Sequence, residues 1–253
     1  MVFGSSKAQH QYIPDTLSAG TGYTAYNCGL GGQPIAFSLI QISETLKRYK
    51  PKLIILDVPP DISRARDSDP RLKILNPFYH DNTLVKRILL NNDSKFEKLK
   101  FTSAIYPYNG MIAEMILSLA YDPGVSVKGF IPIYGSTLEG NEVTNKESEL
   151  INKIPVKQME YLEEIARLCR DHSAICWIII SPVYKTTHQE LVTIKDLKDF
   201  ADKNNIHFLD FSECADLSDH LLFRDNLHLN IDGAKKFSGM VRDSIFFSLG
   251  NKN

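Results

Sequence analysis

Two stretches at opposite ends of the chain carry residue types suited to acid–base chemistry. Near the end stands Asp225-Asn226-Leu227-His228-Leu229-Asn230, an acid and a base three residues apart. Near the beginning, Val2-Phe3-Gly4-Ser5-Ser6 runs from apolar residues into a small-residue turn that presents a hydroxyl. A serine hydroxyl is a poor nucleophile until a neighbouring base takes its proton, and histidine does this near neutral pH because its own pKa lies close by. His228 is therefore the candidate base and Ser6 the candidate nucleophile. Asp225 is placed to accept a hydrogen bond from one ring nitrogen and leave the other facing the hydroxyl. A glycine-rich turn, Asn27-Cys28-Gly29-Leu30-Gly31-Gly32, adds a backbone that can approach a ligand closely and turn an N–H toward negative charge.

Each feature also has a plain structural reading. Gly-Ser-Ser triplets make ordinary turns. An acidic residue near the start of a final helix complements the helix dipole, a histidine there packs beneath it, and Asn230 reads as that helix's N-cap. The glycines lack the full Gly-x-Gly-x-x-Gly spacing of a dinucleotide turn, and no acidic residue follows at the expected distance, so a nicotinamide cofactor is disfavoured. Arg64, Arg66 and Arg71 form either a clamp for an anionic substrate or a solvated loop face. Tyr106 and Tyr108 either line a cleft for a sugar or acyl group or belong to the core rim, and the run Ser181-Pro182-Val183-Tyr184 either shapes the substrate pocket or is a strand-ending turn. His10, His80, His172, His188, His207 and His220 show no metal-ligand spacing and count as background.

The elements that would position these groups alternate. Strands are predicted near Met1–Gly4, Thr24–Cys28, Leu53–Asp57, Ala174–Ser181 and His207–Asp210, and helices near Gln33–Tyr49, Val156–Arg170, Gln189–Asn204 and Ile231–Leu249. Short apolar runs separated by helix-length segments predict an α/β fold, a three-layer α/β/α sandwich with a central, mostly parallel five-stranded sheet. In such sheets ligands gather beyond the carboxyl ends of the strands. One domain is expected over 1–253. Residues 59–147 interrupt the rhythm as a helical insertion, with a charged loop (Pro59–Lys73), helical stretches around Asp81–Leu99 and Met111–Tyr121, and an extended Phe130-Ile131-Pro132-Ile133. It either covers the active-site end or packs on a flank.

Composition narrows the classes. The 253 residues are 43% apolar, with 29 Lys and Arg against 30 Asp and Glu and a net charge of −1. There is ample material for a core and no long run of one sign, so nucleic acid is not an expected partner. Cys28, Cys169, Cys176 and Cys214 have no CxxC spacing, so no metal site is expected and most should be buried thiols. No transmembrane-length run or secretory signal is visible. The first predicted strand begins at Met1, which is abrupt for a central strand. A preceding segment would place the protein outside the cytoplasm or at the cell envelope; without one it would be cytoplasmic.

These residues together resemble the SGNH hydrolases, also called GDSL esterases and lipases. The first block of that family, Gly-Asp-Ser, looks like Gly4-Ser5-Ser6, with Ser5 in place of the usual aspartate. The second block ends in an oxyanion-hole glycine whose register falls on Gly32. The fifth block, Asp-x-x-His, is matched by Asp225 and His228 just before the terminal helix. The third block, Gly-x-Asn-Asp, is missing: its strand runs into Leu56-Asp57-Val58-Pro59-Pro60-Asp61, and Asn109 in Tyr106-Pro107-Tyr108-Asn109-Gly110 is the suggested replacement donor. The resemblance implies a flavodoxin-like sheet and a serine hydrolase that cleaves an ester through an acyl-enzyme. Ser6, His228 and Asp225 would be catalytic, and Ser6, Gly32 and Asn109 would form the oxyanion hole, without metal or organic cofactor. The implied substrate is a small-molecule or carbohydrate ester. Two alternatives stand beside it, an acyltransferase modifying a cell-envelope polysaccharide and a non-catalytic binding module of the same fold.

Overall fold

A computed structural model describes residues 1–65, 69–92, 101, 103, 108, 126–138 and 153–250. Four strands form one parallel sheet in chain order: β1 (Val2–Phe3), β2 (Leu53–Asp57), β3 (Ile175–Ile180) and β4 (His207–Asp210). Around them lie α1 (Ser6–Gln11), α2 (Pro14–Ser18), α3 (Ile35–Arg48), α4 (Thr83–Asn92), α5 (Val156–Asp171), α6 (His188–Lys203) and α7 (Ile231–Gly250).

The apolar strands explain the layering. Successive strand residues point to opposite faces, and the buried side chains divide accordingly. Phe3, Ile54, Leu56, Ile178 and Ile180 pack in one core with residues of α3, α4, α5 and α6. Val2, Leu53, Ile55, Trp177 and Ile179 pack in a second core with Ala8, Leu17, Phe237 and Val241 of α1, α2 and α7. Two covered faces make a three-layer sandwich and account for the unbroken apolar runs of β2 and β3.

Local signals set the helix ends. Thr187 and Glu190 form a capping box before α6, with Glu190 N–H donating to Thr187 Oγ1 at 3.3 Å and Thr187 N–H to Glu190 Oε2 at 2.8 Å. Asn230 Oδ1 accepts from the N–H groups of Asp232 and Gly233, both at 3.1 Å, as an N-cap for α7.

The sheet has four strands among the described residues where five were expected. The segment Thr24–Cys28 is reduced to one parallel bridge, Val2↔Asn27. Val2 N–H donates to Tyr26 O (3.0 Å) and Cys28 N–H to Val2 O (2.7 Å). The ladder stops there because β1 offers only two residues before the chain turns at Gly4, while the outer edge of Asn27 is taken by Lys128 O at 3.0 Å. The cysteines also differ from expectation: Cys169 alone is buried, and Cys28, Cys176 and Cys214 are half-buried, all free thiols.

The expected insertion divides by position. The charged loop holds a 3-10 helix, Pro60–Arg64, and runs into a second, Pro70–Phe78; α4 packs on the second of these and on α3, at a flank. The segment 130–133 instead lies against the site end: Ile131 N–H donates to Gln9 O of α1 at 3.2 Å, and Ile133 O accepts from Ile231 N–H of α7 at 2.7 Å. The stretch around Met111–Tyr121 and the end of Asp81–Leu99 lie outside the described residues.

Ile179, fully buried in the second core, tests the central strand. Ile179→Ala is expected to cost about 2–5 kcal/mol, read as a lowered urea midpoint.

Candidate active site

Gly4 ends β1 at φ +147°, where a Cβ would sit 2.7 Å from Asp57 O and 2.9 Å from Ala8 Cβ. No larger residue fits this crossing of the first turn over the end of β2. The turn delivers Ser5 as the residue before α1 and Ser6 as its first residue, so the Ser6 N–H is one of the helix donors without an intrahelical acceptor. From the other end of the chain, a tight hairpin closed by the Phe223↔Leu229 bridge presents Asp225 and His228. Arg224 N–H donates to His228 O at 2.7 Å within it. Gln11 Nε2 donates to Leu227 O at 3.0 Å and Tyr184 N–H to Asn226 O at 2.9 Å, so α1 itself helps hold the hairpin.

The three side chains meet. His228 Nε2 lies 2.8 Å from Ser6 Oγ, across 222 residues of sequence. His228 Nδ1 lies 3.0 Å from both Asp225 oxygens. A carboxylate can only accept, so Nδ1 carries the ring proton and Nε2 is left to accept from the serine hydroxyl. Asp225 Oδ1 also accepts from the N–H groups of Leu227 (2.8 Å) and His228 (2.9 Å). Partial burial pushes the Asp225 carboxyl up, but the His228 ring and these backbone donors outweigh it and hold the group below its ordinary pKa.

Gly32 joins Ser6 on the wall of a cleft of about 230 Å³, with Gly4, Ser5, Arg64 and Arg71 also lining it. Gly32 adopts φ +73°, a left-handed conformation natural to glycine. The glycine-rich turn is fastened to the first turn through Leu30 N–H to Gly4 O (3.1 Å) and Gly31 N–H to Gln9 Oε1 (3.0 Å). Neither the Ser6 nor the Gly32 N–H has an acceptor among the described residues. Asn109, the third expected donor, lies outside them, as do Arg66 and Tyr106, and Tyr108 is exposed.

Beneath the cleft is a buried polar group that sequence reasoning missed. Lys7, only 4% exposed, donates from Nζ to Ser181 O at 2.8 Å, at the carboxyl end of β3. Tyr12 donates from its hydroxyl to Asp57 Oδ2 at 2.6 Å, at the carboxyl end of β2. Burial draws Lys7 down, against the pull of Asp57, Asp61, Glu190 and Asp210. Burial likewise draws Asp57 up, against Lys7, Tyr12 and Ser181. Each is moved toward its neutral form. A lysine adjoining a serine in a polar sequence gives no warning of this, since lysine is normally solvated. His10 was also passed over. Its signal was its position four residues after Ser6, which matters only once a helix is known to start at Ser6.

No protein-family model and no curated protein matches the chain. Among solved structures it is similar to a protein assigned as an acylhydrolase from Bacteroides fragilis, at 11% identity and TM-score 0.48 over 98% of this chain and 86% of that one. It is also similar to a member of the lipolytic protein G-D-S-L family from Veillonella parvula, at 11% identity and TM-score 0.48 over 100% of this chain and 97% of that one. Both likenesses are at low identity, and the chemistry of the site is read from its own side chains.

Lys7→Met removes the donor to Ser181 O and leaves that buried carbonyl unpartnered, so it is expected to lower stability by about 1–3 kcal/mol in denaturant titration. Because the Asp225 pKa is lowered on folding, its contribution is complete above about pH 4 and is lost as the pH falls through the lower folded value. The stability advantage over Asp225→Asn is therefore expected to be present at pH 6 and to shrink below about pH 4, read from urea midpoints across that range.

Proposed function

We propose that the chain is a serine hydrolase of the SGNH type that cleaves an ester through an acyl-enzyme. The contact that carries this reading is the 2.8 Å approach of His228 Nε2 to Ser6 Oγ, with the other ring nitrogen held by Asp225. In this reaction Ser6 Oγ attacks the acyl carbonyl as its proton passes to His228, and Asp225 stabilises the imidazolium that forms. The Ser6 and Gly32 N–H groups receive the oxyanion, with Asn109 as the proposed third donor. His228 then gives its proton to the departing alkoxide, and water releases the acyl group by the same steps in reverse.

The absent third-block asparagine has a calculable weight. One oxyanion donor contributes on the order of a hundredfold in rate, roughly 3 kcal/mol. That loss slows the chemistry without removing nucleophile or base. The cleft of about 230 Å³ is smaller than the usual range of about 300–1,000 Å³ for drug-sized ligands, which suits a short acyl group such as acetyl. Its arginines and backbone donors suit a polar leaving group, with an acylated carbohydrate as one such ester.

Hydrolysis of 4-nitrophenyl acetate by the parent protein, Ser6→Ala and His228→Ala tests the proposal. Each variant is expected to lose at least about a thousandfold in kcat, and a fluorophosphonate probe should label the parent but not Ser6→Ala. Equal rates in all three would remove the assignment.

A further inference from the structure

Ser6 and His10 stand four residues apart on α1 and so share a face of the helix. His10 Nδ1 lies 2.8 Å from the carbonyl oxygen of Ile131. A carbonyl can only accept, so Nδ1 carries the proton, and Nε2 of the neutral ring is a bare acceptor. It has no donor among the described residues. The ring stands at 87° to that of His228 with centroids 6.0 Å apart. Burial holds the His10 imidazolium below its ordinary pKa, with the Ile131 carbonyl opposing, His228 reinforcing and Asp225 opposing, and the neutral ring is the form present near pH 7.

In the acyl-enzyme of the reaction proposed above, Ser6 Oγ no longer donates to His228, whose Nε2 then faces the incoming nucleophile. The Nε2 of His10 is a second acceptor on the neighbouring ring. A water donating two hydrogen bonds of about 2.9 Å bridges acceptors about 4.5–5 Å apart, a span that two rings at this centroid separation accommodate. An alcohol has one O–H, and His228 requires it.

We infer that His10 is a second catalytic histidine that favours water over alcohols as the acyl acceptor, its Nε2 accepting one O–H of the attacking water while His228 takes the proton of the other. This rests on the serine-hydrolase reading. The water oxygen forms the new bond to the acyl carbon, and one proton moves to His228 Nε2. The tetrahedral adduct then expels Ser6 Oγ, which recovers that proton. The hydrogen facing His10 stays on the product, released as the carboxylic acid. The site is thereby biased toward hydrolysis and away from transfer to sugar hydroxyls.

His10 also fastens the 130–133 segment through Ile131, and two substitutions separate the roles. In His10→Asn the amide N–H can keep the bond to Ile131 while the distal acceptor is lost. In His10→Gln the longer amide can place an oxygen near the Nε2 position. The protein is acylated with 4-nitrophenyl acetate in the presence of methanol, and methyl acetate and acetate are measured. This ratio counts only acylated molecules, so a lowered folded fraction does not alter it. His10→Asn is expected to raise the methyl acetate to acetate ratio about fivefold, the effect of one lost hydrogen bond, and His10→Gln to stay near the parent ratio. An unchanged ratio in His10→Asn, with nitrophenol release abolished by Ser6→Ala, overturns the inference and leaves the serine mechanism standing. Nitrophenol release that is absent from the parent, or undiminished by Ser6→Ala, overturns both.

Discussion

The site depends on how a six-residue helix is held. An isolated helix of that length is far below the size at which helical hydrogen bonds sustain themselves, so α1 takes its position from what it is tied to. Lys7 reaches the end of β3, Tyr12 reaches the end of β2, and Asn27 Nδ2 donates to the carbonyls of Ala8 (2.7 Å) and Tyr12 (2.9 Å). Ser238 Oγ of α7 donates to Gln11 O at 3.0 Å and accepts from Ile13 N–H at 2.8 Å. These bonds come from the ends of two strands, from Asn27 beside β1 and from the last helix. Buried polar groups are costly when a partner is lost, so the placement of Ser6 depends on these distant partners together.

The same ties join the two halves of the site. Gln11 holds the hairpin that carries Asp225 and His228, while the first turn of α1 holds the glycine-rich loop that carries Gly32. Ser6, His228 and Gly32 are thus referred to one short element and not to three independent loops. A rigid reference of this kind is what acid–base chemistry requires, since displacements of about 1 Å can cost on the order of a hundredfold in rate.

Much of this was legible in the residues themselves. Ile54–Leu56 and Ile178–Ile180 are apolar on both faces and announce buried parallel strands. Asp225 and His228 stand three apart in a segment rich in turn residues, a spacing that a tight hairpin brings face to face. What was not legible depended on partners distant in sequence. Thr24–Cys28 has strand-like residues but finds only two residues of β1 to pair with. Lys7 and Asp57 look like surface charges until the strand ends that bury them are known. His10 is one of seven histidines in the chain until the first turn of α1 fixes which face it shares.

The hydrogen bond between Ser6 and His228 closes a loop of nearly the whole chain. During synthesis the turn that carries Ser6 leaves the ribosome 222 residues before His228. Contacts of such long range form late, because the entropy of loop closure must be overcome before they return any stability. Until the hairpin that carries His228 has folded against α1, the Ser6 hydroxyl has no imidazole beside it.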